Sequence, residues 1–154
     1  EPLWQLARIH RQERNEPRIA YLYAKTACEI VYPEGDILFI STDVYNWQSL
    51  DEFAASAFYA HDFLRGYNAC QALLANEHVP AGEKERLSKN LQVYQAKLQE
   101  MQQQNIQHQQ AEAQIKEELN NLLNQNPNLN IVKLADGAKD NWGFLEKEIS
   151  EGLS

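Results

Sequence analysis

Between Gly82 and Pro127 no glycine or proline interrupts the chain. Within that stretch apolar residues recur at Leu87, Leu91, Tyr94, Leu98 and Met101, then at Ile115, Leu119 and Leu122, in alternating steps of four and three. Such steps make a heptad seam, in which one face of a helix repeats every 3.5 residues on average. Carried through the middle, the same steps fall on Asn105, His108 and Glu112, so the register persists while the seam turns polar. The spacing predicts one long helix over residues 80–126, about 65 to 70 Å at ~1.5 Å per residue. A helix of that length, far beyond the ~10 to 14 residues of an average helix, must project or pair.

The residues before it read as shorter helices. Pro2 suits a first turn, and Leu3, Leu6 and Ile9 or Ala7 form one face, with Trp4 beside it, over residues 2–14. Asn15-Glu16-Pro17 stops that helix and starts a second, whose predicted buried stripe is Ile19, Leu22, Tyr23, Ala27, Ile30 and Val31. Tyr32-Pro33-Glu34-Gly35-Asp36 is a turn by composition, and Ile37-Leu38-Phe39-Ile40 is an extended apolar segment with no partner strand in view. Ser41, Thr42 and Asp43 then cap a short turn through Val44, Tyr45 and Trp47, aromatics that read as core or lid packing. Ser49 with Glu52 three residues on has the form of a capping box. From it the pattern Leu50, Phe53, Ala57, Ala60, Leu64, Tyr67 and Leu74 predicts one central helix over 49–76. After residue 126, Asp140 is placed to cap a short helix carrying Trp142, Leu145 and Ile149. The expected architecture is therefore all-α: a small helical bundle as base over 1–79, the coiled-coil-like helix over 80–126, and a C-terminal segment over 127–154 packing back.

Composition narrows the partners. A net charge of −8 and no basic cluster argue against nucleic acid and anionic membrane, since like charges repel. The densest basic stretch, Arg8, Arg11, Arg14 and Arg18, is interleaved with Glu13 and Glu16 and reads as a mixed solvated face. No run of apolar residues is long enough to span a membrane. Cys28 and Cys70 are the only two cysteines. Each lies in an apolar helical pattern, and a disulfide between them would stabilise the base by about 3 to 4 kcal/mol. The alternative is two free thiols in a cytosolic protein. With a chain that begins at Glu1 rather than Met, as processed secreted proteins do, the pair points to a secreted or periplasmic location, with the cytoplasm as the alternative.

Candidate chemistry is sparse. The glycines are isolated, so neither a phosphate-binding loop nor a dinucleotide fingerprint is present, and no serine sits in a nucleophile elbow. His10, His61, His78 and His108 are too scattered for a zinc site on one helix. His108, beside Asn105 and Glu112, is either a buried polar layer that sets register or a solvent-exposed interval of the seam. His61-Asp62 resembles the His-Asp core of the metal-dependent HD phosphohydrolases, with His10 upstream and Asp136 or Asp140 downstream. Phe63-Leu64-Arg65 follows the pair where that family carries glycine and lysine. The resemblance implies a metal-dependent hydrolase as one alternative function. The main expectation needs no catalytic, metal or cofactor residue. It is a non-enzymatic, exported helical protein, a secreted effector or envelope adaptor, that works by protein–protein contact. It would form a homodimer along Leu87, Leu91, Tyr94, Leu98, Met101, Asn105, His108, Ile115, Leu119 and Leu122. A helical inhibitor or immunity-type protein whose acidic surface covers a basic partner is the other alternative.

Overall fold

A computed structural model of the chain describes residues 1–35 and 40–126. It is all-α, with no strand among the described residues. Among the described residues five α-helices follow one another: α1 (Pro2–Gln12), α2 (Pro17–Cys28), α3 (Ser49–Ala57), α4 (Phe63–Ala75) and α5 (Ala81–Gln125), with a π-helical turn at Val44–Gln48 leading into α3. The long helix foreseen from the heptads is a single helix of 45 residues. No described helix is long and apolar enough to cross a membrane. The chain divides into two compact units, residues 1–107 and 108–154, so the boundary falls within the polar stretch of the seam. Three of the four residues of the Ile37–Ile40 segment and the predicted C-terminal helix lie outside the described residues.

Local chemistry explains most of the boundaries. Pro2 and Pro17 open α1 and α2, where a missing N–H costs nothing. Asn15 takes a left-handed φ of 54° after α1, a conformation asparagine tolerates, and the Glu16 N–H returns to the His10 carbonyl at 2.7 Å. Each helix of the base then packs on its neighbour in sequence, α1 on α2, α2 on α3 and α3 on α4.

Three expectations are corrected here. First, α2 does not bury its Ile/Leu stripe. Its buried residues are Ala20, Ala24 and Ala27, and Ala24 joins one cluster with Ala7 of α1 and Ala54 and Ala57 of α3. Small side chains there let the helix backbones approach closely, and Ile19 and Leu22 are left outward, while Ile30 and Val31 fall exposed beyond the end of α2. Of the predicted stripe, only Ala27 is buried, with Tyr23 packed against the core. Second, the predicted central helix is two helices. At the end of α3 the His61 N–H bonds the Phe58 carbonyl at 3.2 Å and the Asp62 N–H bonds the Ala57 carbonyl at 3.0 Å, with His61 at φ 60°. This pair of bonds is a Schellman motif, and His61 occupies its left-handed position, where glycine is usual. Third, Ser49 and Glu52 form no capping box. The π-helical turn already supplies helical backbone ahead of Ser49, and the Glu52 carboxylate is taken by Arg11 through two bonds of 2.7 and 2.8 Å.

The core lies where α3, α4 and the first part of α5 meet: Phe53, Phe63, Ala69, Cys70, Leu73, Val79, Leu87 and Tyr94. Phe58 stands edge-on to both Phe63 and Tyr94 at 5.2 and 5.7 Å between ring centres. The Tyr94 hydroxyl donates to the Ala54 carbonyl at 2.6 Å, and Gly66 leaves the room that its ring fills. Beside this core the adjacent carboxylates of α3 are held by arginines from two different helices, Glu52 by Arg11 of α1 and Asp51 by Arg86 of α5 at 2.9 Å. Burial raises the Asp51 carboxyl above its ordinary value, and Arg86 only partly offsets this.

Candidate functional site

The outward turn of α2 and the broken central helix together make a groove. Glu16, Pro17, Arg18 and Ile19 come from the start of α2, Phe58, Tyr59 and His61 from the Schellman turn, Phe63 from the start of α4, and Lys97 and Met101 from α5. The cavity is about 750 Å³, within the ~300 to 1,000 Å³ of small-ligand and side-chain pockets. Its walls are apolar and its polar groups sit at the rim. The Arg18 Nε donates to the Tyr59 carbonyl at 3.0 Å, and its Nη2 lies 3.2 Å from His61 Nε2. Since arginine can only donate, Nε2 is the acceptor there and the ring hydrogen of a neutral His61 is on Nδ1. The Glu16 carboxylate accepts from His10 Nδ1 at 2.7 Å, while His10 stacks on Tyr23. Lys97 lies over the Phe63 ring at 5.9 Å and pairs with Glu100 at 2.9 Å.

The seam predicted from the heptads has two fates. Leu87 and Tyr94 are buried, and Leu91 and Leu98 pack on the same cluster, so these four positions are taken by the chain's own core. That corrects the assignment of the whole seam to a second copy: the base supplies the partner that an isolated helix lacked. Met101 joins the groove, and Asn105 is exposed. His108 is exposed in the single chain too, pairing with Glu112 one turn on at 3.0 Å. Further along, Ile115 and Leu122 are exposed at 59% and 52%, with Leu119 partly covered.

Cys28 and Cys70 are free thiols, the first exposed at the end of α2 and the second buried in the core. The expected staple is absent: Cys28 lies exposed at the end of α2, which packs chiefly on α1 and α3, whereas Cys70 is enclosed in the core cluster with Phe53, Leu73 and Leu87. Burial, with the nearby Asp51 charge, pushes the Cys70 thiol up to about 11, which makes it unreactive at neutral pH.

His61 and Asp62 are neighbours in sequence but serve different partners. His61 meets Arg18 and the edge of Phe63, while Asp62 accepts from the Tyr21 hydroxyl at 2.7 Å and lies 3.5 Å from Arg65. His10 is engaged by Glu16, and Asp136 and Asp140 lie outside the described residues. Among the described residues no three His, Cys, Asp or Glu side chains gather as a metal site would require.

Arg18 and the groove escaped the sequence reading, which placed that arginine on a solvated face. The only signal was its position directly after the helix-opening Pro17, and nothing local shows that the next helix break would lie against it. The chain matches no family model, no curated protein and no solved structure.

Proposed function

We propose that the chain is a non-catalytic helical binding protein that assembles with a second copy of itself through the distal part of α5. The observation that carries this is the division of the seam: its first four positions are covered by the base, while Ile115 and Leu122 keep heptad spacing and stay exposed. A repeat of fours and threes complements another copy of the same repeat, and a two-fold axis would bring each seam onto its twin. Few apolar side chains per chain take part, so the dimer is weak, with a Kd on the order of 10 to 100 μM once the loss of translational freedom is set against the buried area. The export expected from a cysteine pair has no support in two free thiols, so the reading carries no compartment.

Sedimentation equilibrium from about 5 μM to 1 mM tests it. The expected result is a reversible rise from monomer to dimer mass, abolished in Ile115→Glu/Leu122→Glu while the helical circular dichroism of the base persists. A monomer mass throughout the range, or a dimer that survives both substitutions, overturns the proposal.

A further inference from the structure

We infer that the groove between the start of α2, the α3–α4 turn and α5 receives an acidic amphipathic peptide of a partner protein, with Arg18 binding a carboxylate and Ile19, Phe58, Phe63 and Met101 holding an apolar side chain. The groove plays no part in the self-association proposed above.

Arg18 carries the argument. The chain has 22 acidic side chains against 14 basic ones, and two partly buried arginines use that excess: Arg11 holds Glu52 and Arg86 holds Asp51. Arg18 does not. Its two bonds go to uncharged acceptors, the Tyr59 carbonyl and His61 Nε2, and among the described residues no carboxylate pairs with it. The nearby carboxylates face elsewhere, Glu16 to His10 and Asp62 to Tyr21 and Arg65. Two of the five guanidinium N–H donors fix the plane of the group, leaving donors in a fork geometry that suits a carboxylate. Little side-chain entropy remains to be lost when an anion arrives, which is what preorganisation means energetically.

Next to this cation the surface is apolar and open. Ile19 is 39% exposed, Met101 44% and Tyr59 52%, although each is large enough to gain from burial. Lys97 at the α5 side adds a second positive charge, damped by Glu100. A ligand matching both features has a bulky apolar group within a few ångströms of a carboxylate, the chemistry of Glu or Asp beside Leu, Ile or Phe. A lipid surface would offer anions and apolar chains as well, but the apolar groups line a concavity into which a single side chain can reach, which a flat bilayer surface does not fill.

The test is a selection from a random twelve-residue peptide display library on the full chain, followed by binding of synthetic copies of the enriched peptides to wild type, Arg18→Ala, Met101→Asp and, as a surface control, Lys89→Ala. The expected result is enrichment of Glu or Asp within three residues of a bulky apolar residue. Affinity should fall at least about tenfold in Arg18→Ala, as loss of a charge-assisted bond implies. It should fall also in Met101→Asp, stay unchanged in Lys89→Ala, and weaken with added salt. Unchanged circular dichroism and melting temperature in Arg18→Ala and Met101→Asp separate lost contact from lost fold. Enrichment of basic peptides, no enrichment, or binding indifferent to Arg18 overturns the inference. So does Arg18-dependent co-sedimentation with phosphatidylserine vesicles in the absence of selected peptides, which would assign the groove to a membrane.

Discussion

Replacing Gly66 by alanine would put a methyl group where the Tyr94 ring lies. A Cβ built on Gly66 comes within 2.5 Å of both Cε1 and the hydroxyl oxygen of Tyr94, about an ångström inside ordinary contact, so the ring must move. It has little freedom to do so. Phe58 stands edge-on to it at 5.7 Å, and its hydroxyl is anchored on the Ala54 carbonyl at 2.6 Å. Overpacking of this kind costs about 1 to 3 kcal/mol, and a displaced hydroxyl forfeits a buried hydrogen bond worth about 1 kcal/mol. Against this, alanine is favoured over glycine inside a helix by about 1 kcal/mol. The balance is a loss of about 2 kcal/mol, or roughly 8 °C in melting temperature for a unit of this size. Urea unfolding followed by tryptophan fluorescence and by far-ultraviolet circular dichroism measures it. The same substitution in a Tyr94→Leu background removes the obstructing ring, and there Gly66→Ala should be neutral or stabilising, so the double-mutant cycle shows a coupling of about 2 kcal/mol or more. Stabilisation by Gly66→Ala in the wild-type background, or the same cost in both backgrounds, would refute the packing argument.

The remaining predictions concern groups whose environments differ from their sequence appearance. Native protein should react with one equivalent of a thiol reagent at exposed Cys28, slowly near neutral pH because desolvation and the neighbouring Glu29 charge raise that thiol too to about 11, and with a second only in denaturant, because Cys70 is buried in the core; reaction at no thiol without prior reduction would show the disulfide instead. Asp51 has a folded carboxyl above its ordinary value of 3.8, so the folded state holds the proton more tightly than the unfolded state. That contribution is present at low pH and is lost as pH rises from the ordinary value through the raised one. The stability of wild type relative to Asp51→Asn should therefore fall with rising pH in that window, and a rise would contradict burial as the dominant cause. His61→Val should destabilise by more than about 1 kcal/mol, since a β-branched residue resists the left-handed conformation, whereas His61→Gly should not; denaturation midpoints that are equal for the two would remove the Schellman turn from the account.

The sequence by itself determined what depends on local patterns. Residue types spaced at four and three, with no glycine or proline from 83 to 126, are enough to specify a helix, because backbone hydrogen bonds and side-chain period act within a few residues. For the same reason Pro2, Pro17 and Asn15 marked their boundaries correctly. Tertiary structure alone decided which face each helix buried and what it met. For α2 the Ile/Leu stripe gave a plausible inward face, yet close approach of three backbones favoured the alanines, a choice that depends on Ala7, Ala54 and Ala57 arriving from other helices. Heptad spacing likewise says that Leu87, Leu91, Tyr94 and Leu98 need a partner but not whether it is another chain; the core around Phe53 and Leu73 took them. Asp51, Glu52 and Arg18 show the same division for charge. Whether an arginine finds a carboxylate, as Arg11 and Arg86 do, or is left facing an apolar groove, as Arg18 is, depends on groups some forty residues away, and no window of neighbouring residues carries that information.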